Sequence, residues 1–124
     1  MAPVSRKRDT SALPSNYLMA CLLLLVAETP SHGYELLDRA RELLPVPLDG
    51  GRLYRQLRTM EHDGLVASSW KGSGSGPDRR VYLLTAGGRA RLQGIAEALA
   101  EAEVRIDAYL SRLARVPGRR SAAA

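Results

Sequence analysis

The chain has 124 residues, enough for one hydrophobic core with an appendage and too few for two independent domains of usual size. Hydrophobic residues make up 45% and charged residues 25%, the balance of an ordinary globular protein; with no Phe and one Trp, the core must be built from Leu and Ala. Lys and Arg outnumber Asp and Glu by 18 to 13, a formal charge of +5 that suits a phosphate-rich or acidic partner without naming it.

Residues 1–13 read as a flexible basic arm carrying Arg6, Lys7 and Arg8, and Pro14 with Ser15 marks the start of order. From Ser15 to Glu28 a helix fits, with Ser15 as N-cap and apolar residues around so much of its circumference that it must be buried on most sides. The ten apolar residues from Leu18 to Ala27 are too few to span a bilayer, and Glu28, Thr29 and Pro30 do not form a small-residue cleavage site. No membrane or targeting segment is therefore expected. Cys21 within this run is the single cysteine, so an intrachain disulfide is excluded, a reducing cytoplasm is the expected location, and a buried structural thiol is the expected role.

A second helix is predicted from His32 to Leu44, with Tyr34, Leu37, Ala40, Arg41 and Leu44 at helical spacing and Pro45 and Pro47 ending it. Asp49 and Gly50 open a third, in which Leu53, Leu57, Met60 and Glu61 form one stripe, Arg52, Arg55, Arg58 and Thr59 lie opposite, and Gly64 stops the run. Leu65 to Trp70 and Arg80 to Leu84 read as strands joined by KGSGSGPD, a hairpin with a long tip. Thr85 caps a final helix running to about Val116, where Pro117 and Gly118 stop it before the tail RRSAAA. Gly87 and Gly88 weaken its first turn by roughly 1 kcal/mol each relative to Ala, so a bend is expected there.

Three short helices, a hairpin and a long helix make a mainly α fold of the winged helix-turn-helix type, in which the third helix can enter the major groove of DNA. The expected division is 14–85 for the DNA-binding domain, 86–116 for a dimerisation helix and 117–124 for a disordered tail. Arg52, Arg55 and Arg58 are spaced by three, one above another, and can pair with guanine edges or clamp phosphates. Tyr54 can lie over the sugar-phosphate backbone or pack on the second helix. Lys71, Arg79 and Arg80 sit at the feet of the hairpin tip, where cations reach phosphates or the minor groove.

Three segments give the pattern a family likeness: TPSHGYELLDRAREL, GGRLYRQLRTMEHDGLV and GPDRRVYLLTAGGR. In this order they resemble the PadR family of transcriptional regulators over roughly Leu18 to Arg89, and the single terminal helix resembles its shorter subfamily. The resemblance implies a homodimeric repressor. It puts Tyr34 near the DNA backbone, Tyr54, Arg55 and Arg58 on the recognition helix, and Arg79 and Arg80 on the wing. The chain departs from the usual family pattern at Arg52, often Thr or Ser, and at Leu83, often polar or basic.

The final helix argues for a dimer independently of the family. Leu92, Ile95, Leu99, Ala102, Ile106, Tyr109 and Leu113 are spaced 3, 4, 3, 4, 3, 4, an unbroken a/d stripe. A helix of roughly 45 Å, at about 1.5 Å per residue, outreaches a small winged domain, so the stripe needs a partner, a second copy ahead of its own first helix. A two-fold dimer presents two recognition helices about 34 Å apart and calls for an inverted-repeat operator. The resemblance further implies a small-molecule effector held between first and last helices, where Leu18, Cys21, Leu22 and Leu25 would line the space with Leu92, Leu99 and Ile106, although core packing accounts for the same residues. The alternative reading is a protein-interaction module whose heptad helix recruits another partner.

His32 and His62 are the only histidines, with no H-x-x-H or C-x-x-C spacing, so neither a metal site nor a Cys-His nucleophile is expected. GSGSG lacks the Lys-Ser and helix that a phosphate-cradling loop requires. No enzyme activity and no cofactor are expected.

Overall fold

The computed structural model describes residues 16–44, 48–71 and 79–118. The basic arm, Ser15, Pro45, Pro47, the hairpin tip and the end of the tail lie outside the described residues. Helix α1 spans Tyr17–Glu28 and starts after Asn16, the N-cap in place of the expected Ser15. Seven of its twelve residues are buried, among them Leu22, Leu23 and Val26, because apolar side chains surround its axis. Its C-terminal carbonyls are closed from outside the helix: the Arg39 guanidinium donates to the Leu25 carbonyl and to the Glu28 carboxylate, both at 2.9 Å, and to Ser31 Oγ at 2.7 Å. A cation at this end also complements the helix dipole.

After Pro30 the chain forms β1, Ser31–His32, a strand the sequence did not announce, and then α2, Gly33–Leu43. The Glu35 carboxylate accepts from the His32 backbone N–H at 3.2 Å, which closes the start of α2. Gly33, Leu36 and Ala40 are its buried positions. Helix α3 spans Gly50–His62; Asp49 caps it by accepting the Arg52 N–H at 2.7 Å, and Leu53, Leu57 and Met60 are fully buried. Gly64, at φ +77°, ends α3 in a Schellman motif: Leu65 N–H donates to the Met60 carbonyl at 2.9 Å and Gly64 N–H to that of Glu61 at 3.1 Å.

Strands β2, Val66–Lys71, and β3, Arg79–Leu84, pair antiparallel, and β1 adds to the far side of β3, so the order is β1-β3-β2. The sheet has three strands where the sequence suggested a two-stranded hairpin. A two-residue strand carries no alternation for sequence to show; Ser31 and His32 are fixed by their partners Tyr82 and Val81. Val66 and Tyr82 are buried on the inner face, while Ala67, Ser69 and Leu83 are exposed on the other.

Helix α4 spans Ala86–Ala114, ending two residues short of the expected Val116. Thr85 caps it as the sequence indicates: its Oγ1 accepts the Gly88 N–H at 2.9 Å and lies 2.6 Å from the Gly64 carbonyl oxygen. Helix α4 runs through Gly87 and Gly88 without interruption. Gly88 is buried, and a Cβ there would run into the Leu65 carbonyl oxygen and approach Leu84 Cδ1 to 2.7 Å. Glycine at 88 thus serves a close backbone contact. The chain divides into two compact units, Met1–Leu92 and Gln93–Ala124. No helix among the described residues is long and apolar enough to cross a membrane.

Gly88→Ala should lower stability by about 1–3 kcal/mol even though Ala is the better helix former; a melting temperature unchanged or raised in thermal unfolding would show that the joint has room. Cys21 is 5% exposed and unoxidised, and burial pushes its thiol up from the ordinary value, against a hydrogen bond with Tyr17 that lowers it. Above about pH 9.0 the unfolded chain releases this proton before the folded one, so stability is full below that value and falls as pH rises. A thiol reagent is expected to label Cys21 in denaturant and hardly at all in the native protein, and rapid native labelling would contradict that burial.

Candidate nucleic-acid interface

Helix α3 is amphipathic in the way a groove-reading helix requires. With Leu53, Leu57 and Met60 turned into the core, Arg52, Arg55 and Arg58 are left exposed. Beside this stripe an open cleft of about 970 Å³ separates α2, α3 and the inner face of the sheet. One wall is His32 of β1 with Gly33, Tyr34, Glu35 and Asp38 of α2; α3 contributes Tyr54, Arg58 and Glu61, at i, i+4 and i+7; and β2 and β3 contribute Trp70, Arg80 and Tyr82. The structure therefore gathers Tyr34, Tyr54, Arg58 and Arg80 around one cleft and leaves Arg52 and Arg55 outside it on α3. Lys71 and Arg79 are register partners on β2 and β3.

Tyr34, next to the α2 N-terminus, is 74% exposed. Tyr54 lies across Gly33, whose missing side chain makes room for the ring: a Cβ there would meet the phenol oxygen, Cε1 and Cζ of Tyr54. Tyr54 thus packs on the second helix and remains partly open to the cleft, so both roles considered for it are available to one side chain. Tyr82 is buried, and burial pushes its phenol up from the usual value; the Arg80 and Arg58 charges oppose this, Glu61 and Tyr54 reinforce it, and the ring stays neutral at physiological pH.

Arg80 behaves unlike the other cations. Its Nη1 donates to Ser68 Oγ at 3.0 Å and lies 3.6 Å from Glu61 Oε1, and the guanidinium carbon stands 4.8 Å from the Trp70 ring centre. Ser68 Oγ in turn donates to Glu61 Oε2 at 2.7 Å. Glu61 was expected to extend the apolar stripe of α3, and Trp70 to be a plain strand residue; both belong to the site. The signal for Trp70 was strand parity, since Trp70 and Arg80 share the inner face with Val66 and Tyr82. The proposed effector residues Leu18, Cys21, Leu22 and Leu25 are all buried in the core, and this cleft is lined by others. On α4, Leu99, Ile106 and Tyr109 are exposed, while Leu92, Ile95, Ala102 and Leu113 are half-buried. No cluster of metal-ligating side chains occurs among the described residues.

Helices α1 to α3 followed by a β2–β3 wing, with an arginine stripe on α3, define a winged helix-turn-helix protein of the kind that regulates transcription. The profile of the transcriptional regulator PadR-like family matches residues 22–94, and the chain belongs to that family. It is a transcriptional regulator rather than an enzyme. Among solved structures, it is 34% identical to a conserved protein of unknown function described as a potential transcriptional factor, covering 90% of this chain and 100% of that one, with a TM-score of 0.74. A PadR family transcription regulator from Clostridium difficile R20291 shares the fold at 24% identity, with a TM-score of 0.71 over 76% of this chain and 98% of that one. Bacillus subtilis PadR, solved in complex with operator DNA, aligns at 20% identity and a TM-score of 0.60, over 67% of this chain and 48% of that one. None of the curated proteins compared matches the chain.

Gly33→Ala should displace the Tyr54 ring and destabilise the fold by about 1–3 kcal/mol. In a denaturant series, Gly33→Ala combined with Tyr54→Ala should cost less than the sum of the two single changes, because the collision is then gone. Additive costs would mean that the two residues do not compete for one space.

Proposed function

We propose that this regulator is a repressor that occupies an inverted-repeat operator as a homodimer, with α3 of each copy in the major groove. The observation that carries the reading is the division of α3 into a fully buried Leu53, Leu57 and Met60 stripe and an exposed Arg52, Arg55 and Arg58 stripe. An arginine row on a helix of this width suits base edges and flanking phosphates. Tyr34 and Tyr54 flank the row at the sugar-phosphate backbone, and Lys71 and Arg79 supply the wing's charge. The operator complex of Bacillus subtilis PadR supports double-stranded DNA as the partner. Support for the homodimer comes from the heptad stripe of α4, in which Ile106 is 56% and Tyr109 67% exposed in the single chain. Apolar groups of that size at a/d positions favour pairing with a second copy. A small-molecule effector that releases the operator, with cytoplasmic action, completes the proposal.

Fluorescence anisotropy on the protein's own upstream promoter against scrambled DNA, across a salt series, tests it. Promoter binding should be at least about 10³-fold tighter and should weaken steeply with salt. Arg55→Ala should cost about 1–3 kcal/mol of that preference. Ile106→Glu with Tyr109→Glu should give a monomer in sedimentation and lose most of the affinity. Equal, weak binding to both DNAs, or a monomeric wild-type chain, would sink the reading.

A further inference from the structure

The wing arginine Arg80 is already occupied. Its guanidinium donates to Ser68 Oγ and pairs with the Glu61 carboxylate, while Ser68 Oγ donates to Glu61, so these three groups close a ring linking α3, β2 and β3, and the guanidinium also lies over the Trp70 ring. Three of the four stand in facing register pairs: Trp70 is opposite Arg80 and Ser68 is opposite Tyr82, all on the inner face of the sheet. Turning Arg80 wholly onto a phosphate would take Nη1 from the carboxylate and the hydroxyl and lift the guanidinium off the indole face. It would also strand the Glu61 negative charge on a surface approaching a polyanion. Both costs oppose the exchange.

We infer that Arg80 is a strut rather than a phosphate ligand: with Ser68 and Glu61 it fixes the β2–β3 wing to the C-terminal half of α3, and so sets where the wing meets DNA. Glu61 is then a positioning residue for DNA binding, acting through Arg80 and touching no DNA itself. This rests on the DNA-binding reading proposed above only for its consequence, since the strut exists in the free protein.

The sign of one substitution separates the strut from plain electrostatics. Removing the Glu61 charge near DNA should tighten binding if charge alone matters, whereas loss of the strut should weaken it. The experiment uses the full chain as wild type, Glu61→Gln, Arg80→Gln, the double variant, and Ser68→Ala, which breaks the relay without altering charge and stands in if a charge variant fails to fold. Trp70 is the only tryptophan, so its emission and acrylamide quenching report on the ring without a label and without DNA. Each single variant should shift Trp70 quenching in the same direction, and the double no further. On promoter DNA, Glu61→Gln and Arg80→Gln should each weaken binding about tenfold, non-additively, with the dependence of log affinity on log salt unchanged. The inference is overturned if Glu61→Gln binds more tightly, if Arg80→Gln alone moves Trp70, or if Arg80→Gln reduces the salt slope by about 0.9, the signature of one lost phosphate contact. A wild-type chain that binds no DNA would overturn the operator reading, and the DNA-free Trp70 comparison would still decide the strut.

Discussion

The carbonyl of Leu65 is the point on which three elements turn. It accepts from the Thr85 backbone N–H at 3.1 Å, Thr85 Oγ1 lies 2.9 Å away, and Gly88 lies close enough that any side chain at 88 would strike it. Through that one group the Schellman stop of α3, the start of β2 and the cap of α4 share a few residues. Buried backbone carbonyls need partners, and here both partners come from Thr85, the residue between β3 and α4. Helix α3 therefore cannot end one residue later without moving the wing and the start of α4 with it. A second closure serves the other side of the core, where Arg39 of α2 satisfies the end of α1. Both closures act at helix termini, where backbone groups lack helical partners.

Much of this was legible in the sequence because it depends on local rules. The caps at Asp49 and Thr85, the stop at Gly64 and the apolar stripe Leu53, Leu57 and Met60 each follow from residue type and spacing. What the sequence hid depends on chain segments far apart. Strand β1 exists only because β3 lies beside it. Gly88 looked like a weak point in a helix, and its reason is a carbonyl 23 residues earlier. Glu61 fell on the buried stripe by periodicity, yet it sits at the margin of that stripe, where a carboxylate can reach Ser68 and Arg80. Periodicity assigns a face and not a partner.

The cleft beside α3 is more mixed than a surface built only to attract phosphate. Arg58 and Arg80 share it with Glu35, Asp38 and Glu61, and aromatic rings supply much of the rest. The exposed positive charge on α3 beside the cleft is thus carried by the outer row, Arg52 and Arg55. Acidic groups near a DNA-facing surface lower non-specific attraction and so leave discrimination to correctly placed contacts. Charge and geometry divide the work.

The strand order leaves β2 with a neighbour on one side only, and at the opposite edge β1 is two residues long. An open edge is a template for pairing with another chain, the step from which fibrils and swapped assemblies grow. Here β2 offers only six residues, VASSWK, with two serines and a terminal lysine among them, and β1 is too short to recruit a strand at all. With both edges this limited, the sheet offers little on which a second chain could pair.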